Sequence, residues 1–134
     1  MAEIIECVPN FSEGRRAEVV DAIAGAITAV PGVALLDKEI DANHNRCVIT
    51  FIGNRMSVAE AAFAGAKKAV ELIDMNQHHG EHPRIGALDV LPFVPISGVT
   101  MDDCGDLART VGRRIADELG VPVSSVQITP SATD

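Results

Sequence analysis

A chain of 134 residues, 47% hydrophobic and 22% charged, has the size and balance of one globular domain with its own core. Eleven Lys and Arg against nineteen Asp and Glu give a net charge of −8, which argues against coating nucleic acid or docking on anionic lipid, since both need clustered cations. No apolar run nears the ~18 residues that span a bilayer, Glu3 and Glu6 stand where a signal peptide carries bases, and Cys7, Cys47 and Cys104 lack metal or redox spacing, so the expectation is a cytoplasmic protein with reduced, buried thiols.

Glu3 to Val8 reads as a first strand, stopped by Pro9-Asn10. Ser12 is the expected N-cap of a helix whose apolar face is Val19, Val20, Ile23, Ala26, Ile27 and Val30, ending at Pro31-Gly32. Val33 to Leu36 and Cys47 to Ile52 are short strands, and the polar stretch Asp37–Arg46 between them is too long for a tight hairpin. Ser57-Val58-Ala59-Glu60 forms a capping box that opens a second helix to about Asp74. A polar segment follows from Met75 to Gly86, then an apolar strand from Ala87 to about Val94. Thr100 to Asp103 caps a third helix with the stripe Cys104, Leu107, Ala108, Val111, Ile115 and Leu119, which ends at Gly120. Val121-Pro122-Val123 starts a last extended piece.

The order β-α-β-β-α-β-α is that of an α/β (α+β) ferredoxin-like sandwich, one sheet with its helices on one face. Cys47, Ile49 and Phe51 then face one way and Val48, Thr50 and Ile52 the other. The strand near residue 90 is likewise apolar on both sides, with Leu88, Val90 and Val94 opposed by Leu91 and Phe93. A second apolar face needs a cover, either another copy or another subdomain.

Three polar clusters adjoin strand ends, where α/β folds tend to place their sites. The densest is His78-His79-Gly80-Glu81-His82-Pro83-Arg84. An imidazole there can take and return a proton near neutral pH, and Arg84 suits a carboxylate. The histidine spacing matches neither the His-Glu-x-x-His helix nor a paired-cysteine site, so no metal is assigned. The second cluster is Asp41 to Arg46, where Asn45 offers a donor and an acceptor and Arg46 a cationic fork, although Asn and Asp equally suit a plain turn. The third is Pro9 to Arg15 at a strand-to-helix junction.

Glu6-Cys7-Val8-Pro9-Asn10-Phe11-Ser12-Glu13-Gly14-Arg15 resembles the opening of the glutamate formiminotransferases, within the formiminotransferase-cyclodeaminase family. Asn45-Arg46 before Val48 to Gly53 is similar to the same family, and so is Gly80 to Pro95 with its His-Pro-Arg motif. The resemblance implies transfer of a formimino group from N-formimino-L-glutamate to tetrahydrofolate, a co-substrate, in histidine degradation, with no metal. It aligns His82 with the catalytic histidine, and it makes Asn10, Asn45, Arg46 and Arg84 candidates for holding substrate or folate. His78 and His79 belong to the surrounding loop.

The resemblance covers residues 1–123 as an N-terminal subdomain and leaves 124–134 as a divergent tail. It implies that activity needs a second subdomain or an oligomer, with no nucleic-acid or membrane partner. The alternative is a non-catalytic module of the same fold that binds folate, an amino acid or a protein.

Overall fold

The computed structural model describes residues 2–73, 87–121 and the strand 127–130. In chain order these form β1 (Ile4–Cys7), β2 (Asn10–Phe11), α1 (Ala17–Thr28), β3 (Ala34–Asp41), β4 (Arg46–Gly53), α2 (Arg55–Leu72), β5 (Leu88–Ser97), α3 (Met101–Leu119) and β6 (Gln127–Pro130). The architecture is the expected α+β sandwich, a single sheet layered against three helices.

Across the sheet, β3 pairs with β4, β4 with β1 and β2, these with β5, and β5 with β6. Every pairing is antiparallel except the last, which is parallel. β1 and β2 lie end to end between the same two neighbours. Pro9 has no N–H to give the ladder, so the strand breaks there. Its carbonyl still accepts from Ile49 N at 3.1 Å, and Val8 N donates to Pro92 O at 3.3 Å. The proline therefore divides the strand without ending it, and Asn10 returns to the sheet.

One core lies between sheet and helices. Ile5, Cys7, Phe11, Cys47, Ile49, Phe51, Leu91 and Phe93 supply its sheet side. Ile23 and Ile27 of α1, Val58 and Ala66 of α2, and Cys104 and Ile115 of α3 supply the helical side. Burying groups of this size from water is the main favourable contribution to folding. All three cysteines are buried and unpaired, as expected.

Several local expectations are corrected. Polar residues do not break the β3–β4 pair: Asp37 through Asp41 stay in the ladder with Arg46 through Thr50, leaving only Ala42–Asn45 as the turn. α1 begins four residues later than Ser12 suggested, with Arg16 as its N-cap residue and no side-chain cap bond. α2 begins before Ser57, where Asn54 Oδ1 accepts from Ser57 N at 2.8 Å. α3 matches expectation: Thr100 and Asp103 form the capping box, and Gly120 ends the helix at φ 71°, a left-handed conformation that suits glycine.

The register shift opposite Asn10 and Phe11 reverses the facing of Leu88 relative to Val90. Leu88 pairs with Phe11 and joins Leu91 and Phe93 in the core, rather than opposing them. The extended piece expected to start at Val121-Pro122-Val123 falls on residues that are not described beyond Val121, and the strand described after it is β6, at Gln127–Pro130. Residues 122–126 lie outside the described residues.

Candidate active site

The face of the sheet away from the helices holds Asn10 and Arg46. Val48, Thr50 and Ile52 of β4 are half-buried there, as is Val90 of β5, whereas Val94 is only 6% exposed. Register joins them in rows: Glu6 stands between Ile52 and Val94, and Asn10 between Val48 and Val90. Arg46 has the same facing as Val48, two residues along the strand.

Asn10 and Arg46 meet. Asn10 Oδ1 accepts from an Arg46 Nη2 at 2.6 Å, and Asn10 Nδ2 donates to the Val8 carbonyl at 3.1 Å. Arg46 makes no ion pair among the described residues. A groove of about 610 Å³ opens beside it, lined by Glu39, Asp41, His44, Arg46 and Val48.

Asn45 does something different. It has φ 51°, a left-handed conformation that Asn tolerates better than most side chains. From there its Oδ1 accepts from Gly14 N at 2.9 Å, tying the β2–α1 junction to the β3–β4 turn. Arg15 Nε adds a bond to the Ala42 carbonyl at 2.9 Å. Asp41 organises the turn itself, accepting from the backbone N–H groups of Asn43 and His44 and facing the His44 ring nitrogen at 2.6 Å. The His44 ring contact and these backbone donors hold the Asp41 carboxyl below its usual range.

Glu13 is the buried charge at the junction, with 4% of its surface exposed. Burial pushes its carboxyl pKa up, but the Arg16 N–H, the Arg16 guanidinium and the Arg15 N–H outweigh that, and the net shift is downward. The bonds measure 2.9, 2.8 and 3.0 Å respectively. Glu13 thus holds the turn that leads into α1, whose own first N–H groups have no side-chain cap. Ser12 instead donates its backbone N–H to the Ala87 carbonyl at 3.0 Å, joining this junction to the entry of β5.

His82 and Arg84 lie outside the described residues. Of the five candidates, then, the structure brings Asn10 and Arg46 into direct contact and gives Asn45 a partner at Gly14. Sequence reasoning did not find the Gly14 contact. A glycine between charged residues at a strand-to-helix junction was its one available signal. Among the described residues, no three His, Cys, Asp or Glu side chains gather in a way that would hold a metal, and no helix is long and apolar enough to cross a membrane.

Residues 4–131 match the sequence family described as "Formiminotransferase domain, N-terminal subdomain". The formimidoyltransferase-cyclodeaminase of Sus scrofa is 54% identical over 123 residues, covering 92% of this chain and 23% of that protein. The glutamate formimidoyltransferase of Streptococcus pyogenes serotype M1 is 51% identical over 123 residues, covering 92% of this chain and 41% of that protein. That of Thermoplasma acidophilum is 54% identical over 120 residues, covering 90% and 40%. The chain therefore spans between about a quarter and two-fifths of the length of these relatives. By a match over nearly its whole length, the chain belongs to the formiminotransferase family, as an N-terminal subdomain.

Proposed function

We propose that this chain supplies one side of a glutamate formiminotransferase active site, in the cytoplasm, and that a second subdomain covers the open sheet face to complete it. The observation that carries this reading is the Asn10–Arg46 pair, a charged fork without an ion-pair partner among the described residues on an otherwise largely apolar face, in a chain of the formiminotransferase family. The substrates are N-formimino-L-glutamate and tetrahydrofolate, and the reaction belongs to histidine degradation. Both substrates carry carboxylates, which suit arginine.

His82 is the proposed acid–base group. The acceptor nitrogen of tetrahydrofolate attacks the formimino carbon and gives up its proton. The glutamate nitrogen gains a proton as its bond to that carbon breaks. One imidazole serves both steps in sequence and ends as it began. Ala87, five positions after His82 in the sequence, accepts the backbone N–H of Ser12, two residues from Asn10. Arg84 and Asn45 complete the proposed polar set, Asn45 by fixing the junction beside the groove.

The test is to assay formimino transfer by this chain mixed with the remaining subdomain of a relative such as the Streptococcus pyogenes protein. Transfer by the mixture supports the reading. A mixture that forms a stable complex and transfers nothing overturns it.

A further inference from the structure

We propose that the free edge of the sheet, strand β3, is a docking site for an extended polypeptide segment that carries Lys or Arg at alternate positions with apolar residues between them. The segment adds a strand to the sheet beside β3. This inference stands apart from the transferase reading.

β3 lies at the end of the strand order, paired with β4, and all eight of its residues, Ala34–Asp41, are exposed. An edge strand presents N–H and C=O groups that a further strand can take up. An edge that meets only water favours short strands and polar side chains. β3 has neither property. It is eight residues long, and Leu35, Leu36 and Ile40 are 40%, 54% and 45% exposed.

Register sorts the edge into two sides. Leu35, Lys38 and Ile40 stand opposite Phe51, Ile49 and Cys47, whose side chains enter the core, so they face the helices. Asp37, Glu39 and Asp41 stand opposite Thr50, Val48 and Arg46, on the open side. The register passes over Leu36, the extra residue of a bulge. Lys38 is paired with Asp21 of α1, so its charge is matched within the chain. Asp41 is held in the turn by His44. An arriving strand therefore meets Leu35 and Ile40 on one side and the carboxylates of Asp37 and Glu39 on the other.

Directly opposed side chains share a face of a sheet, so the partner's alternation must match: apolar toward the helices, cationic toward the open side. Like charges disfavour a second copy as that partner. Matching the faces of two antiparallel copies over Asp37–Asp41 puts the two-fold axis through residue 38, 39 or 40. The first choice sets Asp37 against Glu39 and Lys38 against Lys38. The second sets Asp37 against Asp41 and Glu39 against itself, and the third sets Glu39 against Asp41. Each opposes acid to acid, which is unfavourable. Lys or Arg on the arriving strand turns these repulsions into attractions. The acids that keep β3 from pairing with itself thus select a basic partner.

The test is an amide-resolved NMR titration of the 134-residue chain with acetyl-Val-Lys-Val-Lys-Val-Lys-Val-amide and, separately, with the peptide that has Glu in place of each Lys. The expected result is movement of the Ala34–Asp41 amides with the Lys peptide, weakened by added salt, and none with the Glu peptide. Reversing the edge in one chain with Asp37→Lys and Glu39→Lys should weaken the Lys peptide by roughly tenfold and bring the Glu peptide onto the same strand. Glu39→Gln, nearly the same in shape, should weaken the Lys peptide by a smaller factor. Unchanged α3 amides show that each variant is folded.

Equal movement with both peptides, no movement with either, or movement confined to β6 at the other edge overturns the proposal. So does an unchanged affinity in the charge-reversed chain. Dimerisation of the parent chain that shifts the same β3 amides on dilution also overturns it, by giving the edge to a second copy. None of these readouts involves formimino transfer, so failure of the transferase reading leaves the outcome untouched.

Discussion

Asn45 Oδ1 accepts the backbone N–H of Gly14 at 2.9 Å, across 31 residues of sequence. The approach is close enough that a Cβ on Gly14 would stand 2.4 Å from the carbonyl oxygens of Arg46 and Asp41, both backbone atoms that cannot turn aside. Gly14→Ala is expected to destabilise the fold by about 1–3 kcal/mol, the usual cost of overpacking. It should also disturb the resonances of the Ala42–Asn45 turn more than those of α3. Urea melts and amide spectra check both points, and an unchanged midpoint would show that the junction yields freely.

At Asn45 the bond and the backbone conformation separate experimentally. Asn45→Gly keeps the left-handed φ available and removes the bond, for an expected loss of about 1 kcal/mol. Asn45→Ala loses the bond and also strains the backbone, adding about another 1 kcal/mol. Equal stability of the two variants in chemical denaturation would contradict the role of the φ 51° conformation.

Glu13 makes acid stability depend on its charge. Its folded pKa lies below the usual 4.5, so the native state binds fewer protons than the unfolded chain in that range. The contribution is present in full above pH 4.5 and is lost as pH falls through the lower folded value. Glu13→Gln should cost about 1.5–3 kcal/mol at pH 7, from lost bonds to a charged group. The gap to the parent protein should narrow as pH falls below 4.5 and through the lower folded value. A gap that stays constant from pH 7 to pH 3 would assign the effect to shape alone.

The buried thiols should be slow to react. Burial pushes the Cys47 thiol up to about 11 and the Cys7 thiol well above its ordinary value, so little thiolate is present near neutral pH. A disulfide reagent at pH 8 should modify Cys7 and Cys47 only at the rate of unfolding. Rapid native-state labelling of either would contradict their placement in the core.

Helix faces and the alternation of β4 were legible in the sequence because their periods are strong and local. Thr100, Asp103 and Gly120 were legible for the same reason, since each acts on its own turn of chain. The caps of α1 and α2 were misassigned locally, at Ser12 in place of Arg16 and at Ser57 in place of Asn54, and the other errors were non-local or cooperative. Asp37 to Asp41 look like loop residues, yet β4 offers them a complete ladder of partners. Pro9-Asn10 looks like a stop, yet two neighbouring strands take Asn10 back. Leu88 faces the core because of a register shift that no alternation pattern contains. Among the site residues, motif resemblance singled out Asn10, Asn45 and Arg46, but the Asn10–Arg46 bond spans 36 residues and the Asn45–Gly14 bond 31. Those contacts show which candidates meet one another and which meets its neighbour at Gly14.

The central claim is that formimino transfer on this face runs through His82. The direct measurement is the rate of transfer from N-formimino-L-glutamate to tetrahydrofolate by the chain with a second formiminotransferase subdomain, for the parent and for His82→Ala at equal occupancy of the complex. The account predicts a loss of about 10²–10⁴-fold in kcat for His82→Ala, the usual contribution of a general acid–base group, with the complex still formed. Transfer by His82→Ala at the parent rate would contradict it.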